Sequence, residues 1–324
     1  MKVAVSVISH RPFKKVTQQY EYLYILSKEY GIPVYVWYQS EEFYNQVPDK
    51  FKEVINVELD TSATCAGDNL FNSSSTFDKY DYILNMDDDI ARFSYVIQKE
   101  GKLGYTTNVS KGRSQEEVHA TSAEVLHDFI VKGIEKLKSD NYAYVTCQAK
   151  FFSEWNENPW KDSKSTSSTQ LALWKAPLFK EAIDYFRKYE FPRVHGYDQF
   201  YRAYIMDKGY KYSCNLHHAL YPKNQGVNDS VIRPDGTFAD LSVLDTIYVM
   251  EMYPGLFKYR KMATGFVKLV PGKGTVDEYL KQREEEVINS KELIKLTEPY
   301  LHDMKIIKEN AHKWKSQMAT KTLW

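Results

Sequence analysis

Three consecutive carboxylates, Asp87, Asp88 and Asp89, follow the apolar run Tyr82-Ile83-Leu84-Asn85-Met86. Adjacent acids repel one another unless a cation or several backbone donors sit among them. Their oxygens suit Mg2+ or Mn2+, and a cation held this way stabilises charge that accumulates on a phosphate leaving group. At the end of a buried strand the triplet asks for such a partner. In a solvated turn, or as the cap of a helix beginning near Ala91, it would do no chemistry.

Other residues carry chemistry of their own. Arg11, in Ser9-His10-Arg11-Pro12, offers a guanidinium whose fork matches a diphosphate. Asp198, in His195-Gly196-Tyr197-Asp198, stands at the start of a helical pattern, where it serves either as a general base or as a helix cap. Trp155, Trp160 and Trp174 flank the polar residues 163–169 and supply either a stacking wall or ordinary core. Between Gly255 and Gly274 lie Lys258, Arg260, Lys261, Lys268 and Lys273 with no acid, interleaved with Phe257, Tyr259 and Phe266. That mixture suits a phosphate backbone with exposed bases, and equally a solvated face. The tail repeats the bias with Lys305, Lys308, Lys313, Lys315 and Lys321 against Asp303 and Glu309.

The elements that must position these residues read as alternating strands and helices. Residues 3–8 form a buried strand, 17–30 a helix stopped by Gly31, and 33–38, 54–59 and 80–86 further strands, the last ending in the triplet. Four short strands within ninety residues predict a mostly parallel sheet with its ligand crevice at the strands' carboxyl ends. Residues 94–112 read as an irregular or hairpin insertion. Thr121-Ser122-Ala123-Glu124 has capping-box spacing ahead of the amphipathic run 125–137. Residues 142–148 and 210–216 are strands, and 177–189 and 198–208 helices. From Thr275 onward the sequence is charged and strand-poor, which predicts a helical appendage. The expected organisation is an α/β domain over 1–255 and a basic, helical segment over 256–324.

Composition narrows the classes. The 324 residues carry 43 basic and 43 acidic side chains, so any polyanion site must be local. Tyrosine is abundant, with 26 copies, and its flat face and polar tip suit sugars and bases as well as half-buried cores. Cys65, Cys147 and Cys214 have no C-x-x-C spacing, which argues against a zinc cluster or disulfide framework and fits a reducing cytoplasm. No apolar run has the length of a membrane span or a cleavable leader, so a soluble intracellular protein without a membrane partner is expected.

A first strand ending in Ser9, Arg11 and Pro12, and a hydrophobic strand entering Asp87-Asp88-Asp89-Ile90, together resemble the metal-dependent GT-A glycosyltransferases with their D-x-D motif. The phrase Met86-Asp87-Asp88-Asp89-Ile90 with Phe93, Gly31-Ile32-Pro33 and Glu42-Phe43-Tyr44 is similar to the TET-associated glycosyltransferases of tailed bacteriophages. The resemblance implies a Rossmann-like GT-A fold, a UDP-sugar donor and a Mn2+ or Mg2+ ion. It places Asp87 and Asp89 on the metal, Asp87 and Asp88 at the donor, Ser9, His10 and Arg11 near the base, and Asn69 near nucleotide or sugar. A further metal ligand from His217 or His218, and Asp198 on the acceptor side, are implied by the same likeness. With the basic stretches, it implies transfer of glucose or a pentose such as arabinose to a hydroxylated or hydroxymethylated pyrimidine in phage DNA, in the host cytoplasm. Two rivals share these features: a GT-A enzyme acting on polysaccharide, lipid or protein, and a non-catalytic nucleotide- or nucleic-acid-binding protein.

Overall fold

The computed structural model describes residues 2–62, 70, 72–107, 112–139, 141–150, 154–162, 170–188, 204–222, 253, 255–261, 267–275, 278 and 281. The chain divides into two compact units, Met1–Arg187 with Gly209–Asn224, and Lys188–Lys208 with Gln225–Trp324. The second unit therefore takes in residues 188–208 and 225–255, which the sequence assigns to the first domain.

The first unit is an α/β layer structure whose strands and helices follow from burial. Strand β1 (Val3–Ser9) is buried along almost its whole length, as expected of a central parallel strand covered on both faces. Helix α1 (Phe13–Tyr30) follows, and Gly31 ends it at φ 65°, its amide reaching Ser27 O at 3.1 Å. Only glycine takes that left-handed cap without a Cβ penalty. Then come β2 (Val34–Tyr38), the short helices α2 (Glu41–Asn45) and α3 (Asp49–Lys52), β3 (Asn56–Leu59), a 3-10 turn (Ser74–Lys79) and β4 (Tyr82–Asp87). Strand β5 (Ile90–Lys99) turns back through β6 (Lys102–Tyr105) as an antiparallel hairpin. The strand at Ile90 removes the alternative in which the carboxylates cap a helix near Ala91.

Helix α4 (Gln115–Leu137) is capped seven residues before the expected cap. The capping box is Ser114 with Glu117, and Thr121 to Glu124 lie inside the helix. The apolar stripe explains the difference, since its first buried member is Val118. The unit closes with β7 (Tyr142–Ala149), β8 (Trp160–Asp162), β9 (Leu171–Lys175), α5 (Ala176–Lys188) and β10 (Lys211–Pro222).

The strands form one sheet in the order β3-β2-β1-β4-β9-β7-β10-β5-β6, with β8 paired to β10. Strands β3, β2, β1 and β4 are parallel, and β9 runs antiparallel between β4 and β7. Helices α1 and α4 cover one face through a core that includes Val5, Val7, Leu23, Leu84, Leu126, Phe129, Ile130 and Leu173. The opposite face carries an aromatic stack in which Trp174 lies on Phe179 at 4.7 Å and Phe179 on Phe77 at 5.6 Å. Strand β10 is irregular against β7: Asn215 pairs with Cys147 and Ala219 with Gln148, leaving three extra residues between them.

In the second unit, β11 (Phe257–Lys261) and β12 (Val267–Pro271) pair as an antiparallel ribbon, with Arg260 opposite Lys268 and Lys258 opposite Val270. The basic stretch is thus a two-stranded element. Apart from Thr275, Glu278 and Lys281, the predicted C-terminal appendage lies outside the described residues. No helix among the described residues is long and apolar enough to cross a membrane.

Candidate active site at the carboxyl ends of β1 and β4

Strands β1 and β4 are paired in parallel, with Ile8 opposite Asp87, so their carboxyl ends deliver Ser9-His10-Arg11 and the three acids side by side. Backbone bonds fix the turn. The Asp87 amide donates to Gln170 O at 2.9 Å, and Gln19 of α1 donates its side-chain amide to Asp87 O at 2.7 Å.

Asp88 is 3% exposed and turns its carboxylate onto the β1 loop. It accepts the Ser9 hydroxyl at 3.1 Å and the His10 backbone amide at 3.0 Å, and stands 3.6 Å from His10 Nδ1. Arg11 Nε lies 3.2 Å from its other oxygen, an ion pair without hydrogen-bond alignment. Asp89, equally buried, accepts from Gln170 Nε2 at 3.2 Å and from an Arg11 terminal nitrogen at 3.5 Å. Burial raises the Asp89 carboxyl above the ordinary value and the neighbouring Asp88 adds to this, while Arg11 and His10 oppose it. Arg11 thus pairs with both Asp88 and Asp89.

The structure thus brings Ser9, His10, Arg11, Asp87, Asp88 and Asp89 together. His217 and His218, the expected further metal ligands, meet other partners. His218 pairs with Tyr95, five positions beyond Ile90 on β5, about 17 Å along the strand. Its ring is fully buried and both nitrogens are taken, Nδ1 by Asn215 Oδ1 at 2.8 Å and Nε2 by Asp128 Oδ2 at 2.9 Å. Burial lowers the His218 pKa although Asp128 opposes this. His217 stacks on Trp155 at 5.4 Å, its Nε2 lying 2.7 Å from Asn156 O. Trp174 is 4% exposed within the aromatic face, so it belongs to the core and not to a stacking wall.

Asn69 and Asp198 lie outside the described residues. Lys258 and Lys273 are exposed, and Arg260, Lys261 and Lys268 stand on the β11–β12 ribbon. The sequence reading missed Gln19 and Gln170, which hold the triplet from α1 and from the residue ahead of β9. It also missed Tyr20 and Tyr38, whose hydroxyls meet at 3.2 Å under the β1 loop. None of the four has a local signal, because each acts across more than sixty residues or through a neighbouring strand.

Among the described residues no three His, Cys, Asp or Glu side chains are gathered to hold a metal. The donor chemistry nevertheless fits a hard cation. Asp87 and Asp89 supply anionic oxygens at the end of a buried strand, and Mg2+-type ions commonly take one or two protein carboxylates with substrate phosphates and water completing the shell.

No protein-family model and no curated protein matches the chain. Similar folds occur among solved structures. A mycobacterial protein has a TM-score of 0.47 and 9% identity over 83% of this chain and 84% of its own. A mannosyltransferase from Pyrobaculum calidifontis, solved with GDP-mannose and Mn2+, has a TM-score of 0.43 and 13% identity over 76% of this chain and 62% of its own. Glucosyl-3-phosphoglycerate synthase from Mycobacterium tuberculosis, solved with Mn2+, UDP-glucose and phosphoglyceric acid, has a TM-score of 0.45 and 9% identity over 86% and 91%. These likenesses are distant in sequence and in shape.

Proposed function

We propose that the chain is a metal-dependent glycosyltransferase that moves glucose or a pentose such as arabinose from a UDP-sugar to a hydroxylated or hydroxymethylated pyrimidine in phage DNA. The observation that carries the reading is the clasp between Asp88 and the β1 loop, which holds Ser9-His10-Arg11 beside two further carboxylates. In this reading Ser9, His10 and Arg11 line the base, Asp87 and Asp89 hold Mn2+ or Mg2+, and Asn69 meets the nucleotide or sugar. The cation, when bound, neutralises charge on the departing diphosphate. Asp88 keeps the loop in register with the metal ligands, and burial of the acids keeps water from competing for them. Asp198 removes the acceptor hydroxyl proton.

The DNA acceptor is supported by the ribbon β11–β12, where Arg260 pairs with Lys268 in the register. Like charges opposite one another destabilise a ribbon unless an anion lies between them. The basic stretch continues with Lys258, Lys261 and Lys273, a charge that suits a phosphate backbone. The test is to incubate the protein with Mn2+, a panel of UDP-sugars, and DNA with or without 5-hydroxymethylcytosine, and then weigh the released nucleosides. A hexose or pentose mass on the modified base is expected. UDP release without added nucleoside mass would move the acceptor to a glycan, lipid or protein, and no UDP release under any condition would overturn the transferase.

A further inference from the structure

Beside the acids, on the sheet face away from α4, two cations converge on one tyrosine. The Arg92 guanidinium lies 4.4 Å from the centre of the Tyr221 ring, and Lys150 Nζ lies 4.6 Å from the same centre and 5.7 Å from that of Tyr105. Tyr105 meets Tyr221 edge-on at 5.7 Å and donates its hydroxyl to Lys150 O at 3.2 Å. The register explains the convergence: Tyr221 pairs with Arg92 across β10 and β5, and Leu220 with Ala149 across β10 and β7, which sets Lys150 level with Tyr221.

Among the described residues neither cation has a carboxylate partner. Arg92 Nε is buried without a hydrogen bond, and so are Tyr221 Oη and Thr107 Oγ1, in residues 6% and 0% exposed. Ser94 and Thr107 are the polar neighbours of the Tyr221 hydroxyl, but neither is aligned to bond it. Burial pushes the Tyr221 phenol up to about 12, which keeps it a donor at neutral pH. Arg92 and Lys150 reach the ring from the strands on either side of β10 and each gains from its π face, but buried donors without acceptors remain costly unless an anion satisfies them. A guanidinium fork, an ammonium and two hydroxyls are the donor set that phosphoryl oxygens take.

We propose that Arg92, Lys150, Tyr221 and Thr107 form a binding site for a phosphoryl group of the acceptor. The side of the crevice argues for the acceptor over the donor. The β1 loop stands on one flank of the acids, whereas β5 and β10 stand on the other, with Pro222 paired to Ile90 immediately after Asp89. Arg92 is three residues beyond Asp89, about 10 Å along β5, a span that one nucleotide unit covers.

The acceptor assignment rests on the proposed sugar transfer; the anion site itself does not. The test follows inorganic phosphate by phosphorus NMR on the whole protein, with and without saturating UDP and Mn2+. Phosphate is expected to bind equally well in both conditions. Arg92→Met with Lys150→Met should weaken it at least tenfold, and Tyr221→Phe several-fold, while UDP affinity stays within twofold. Arg92→Lys, which keeps the charge and losing only the fork, should lie between and decides the matter if the double variant does not fold. Mutual exclusion of phosphate and UDP would assign the cations to the donor diphosphate and overturn the proposal. Unchanged phosphate affinity in the variants would overturn the site altogether. Failure of the protein to bind UDP, with phosphate binding still lost in the variants, would defeat the transferase reading and leave the anion site standing.

Discussion

Asp88 accepts the Ser9 hydroxyl at 3.1 Å, although 79 residues separate the two in sequence. The middle acid of the triplet is therefore a clasp between two strand ends. Asp88→Asn keeps the shape but loses the charge that holds Arg11 and turns an acceptor into a donor facing donors. Leaving those buried partners unsatisfied costs about 1–3 kcal/mol. The expected outcome is a lower melting temperature together with a rise in KM for the UDP-sugar larger than the fall in kcat. An unaltered melting curve would show that the clasp contributes nothing.

The outer acids have a different signature. Asp87→Ala and Asp89→Ala should each lower transfer by roughly a hundredfold or more, the scale of removing a stabiliser of developing charge. Far-UV circular dichroism should stay that of the parent. Full activity in both variants would remove the metal site at this position.

Asp128 gives a pH dependence. Burial alone would raise its carboxyl, but the hydrogen bonds from His218 and Lys132 outweigh that and hold it below the ordinary carboxylate range. A depressed acid contributes stability that is complete above its unfolded value, near 4, and fades as the pH falls below it. Asp128→Asn should therefore be less stable than the parent at pH 7, and the gap should close on going from pH 4 toward pH 2. Parallel stability curves would contradict the His218–Asp128 pairing.

Helix α4 packs tightly on the sheet at Gly133. A Cβ there would meet Leu173 Cδ2 at 2.7 Å and Val145 Cγ2 at 2.9 Å. Gly133→Ala gains helix propensity but overpacks the core, with an expected net loss of about 1–2 kcal/mol in chemical unfolding. A stabilised variant would mean that Leu173 swings aside at no cost.

Acceptor binding should weaken steeply with salt if the β11–β12 ribbon meets DNA. Replacing Arg260 or Lys268 by Ala should reduce the slope of log affinity against log salt by about one each. Indifference to salt in the parent protein would point to an uncharged acceptor.

The local patterns were legible. Alternation and apolar runs located β1, β2, β4 and β7, Gly31 located the end of α1, and the triplet stands at a strand end as its apolar approach implied. What escaped depends on register. Ser114 and Thr121 both carry the spacing of a capping box, and only the packing of Val118 decides between them. His217 and His218 enter the reading only through the family resemblance, and the pairing of His218 with Tyr95, five positions beyond Ile90, is a matter of register. Arg92, Lys150 and Tyr221 are unremarkable where they stand in the sequence, and only the joint pairing of β5, β7 and β10 brings them together. Gln19 and Gln170 likewise acquire a purpose only once α1 and β9 have docked beside β4.

The three extra residues in β10 carry a consequence for how this chain can change length. Side chains alternate along a strand, so an odd insertion reverses the parity of everything downstream. Asn215 and Ala219, four apart, would share a face in a regular strand, yet pair with Cys147 and Gln148 on opposite faces of β7. Tyr221 reaches Arg92 and Lys150 because of that reversal. Loss or gain of one residue between Asn215 and Ala219 would exchange Tyr221 with Leu220, putting a phenol into the core and an aliphatic side chain between the two cations. Tolerated length changes in this stretch therefore come in twos.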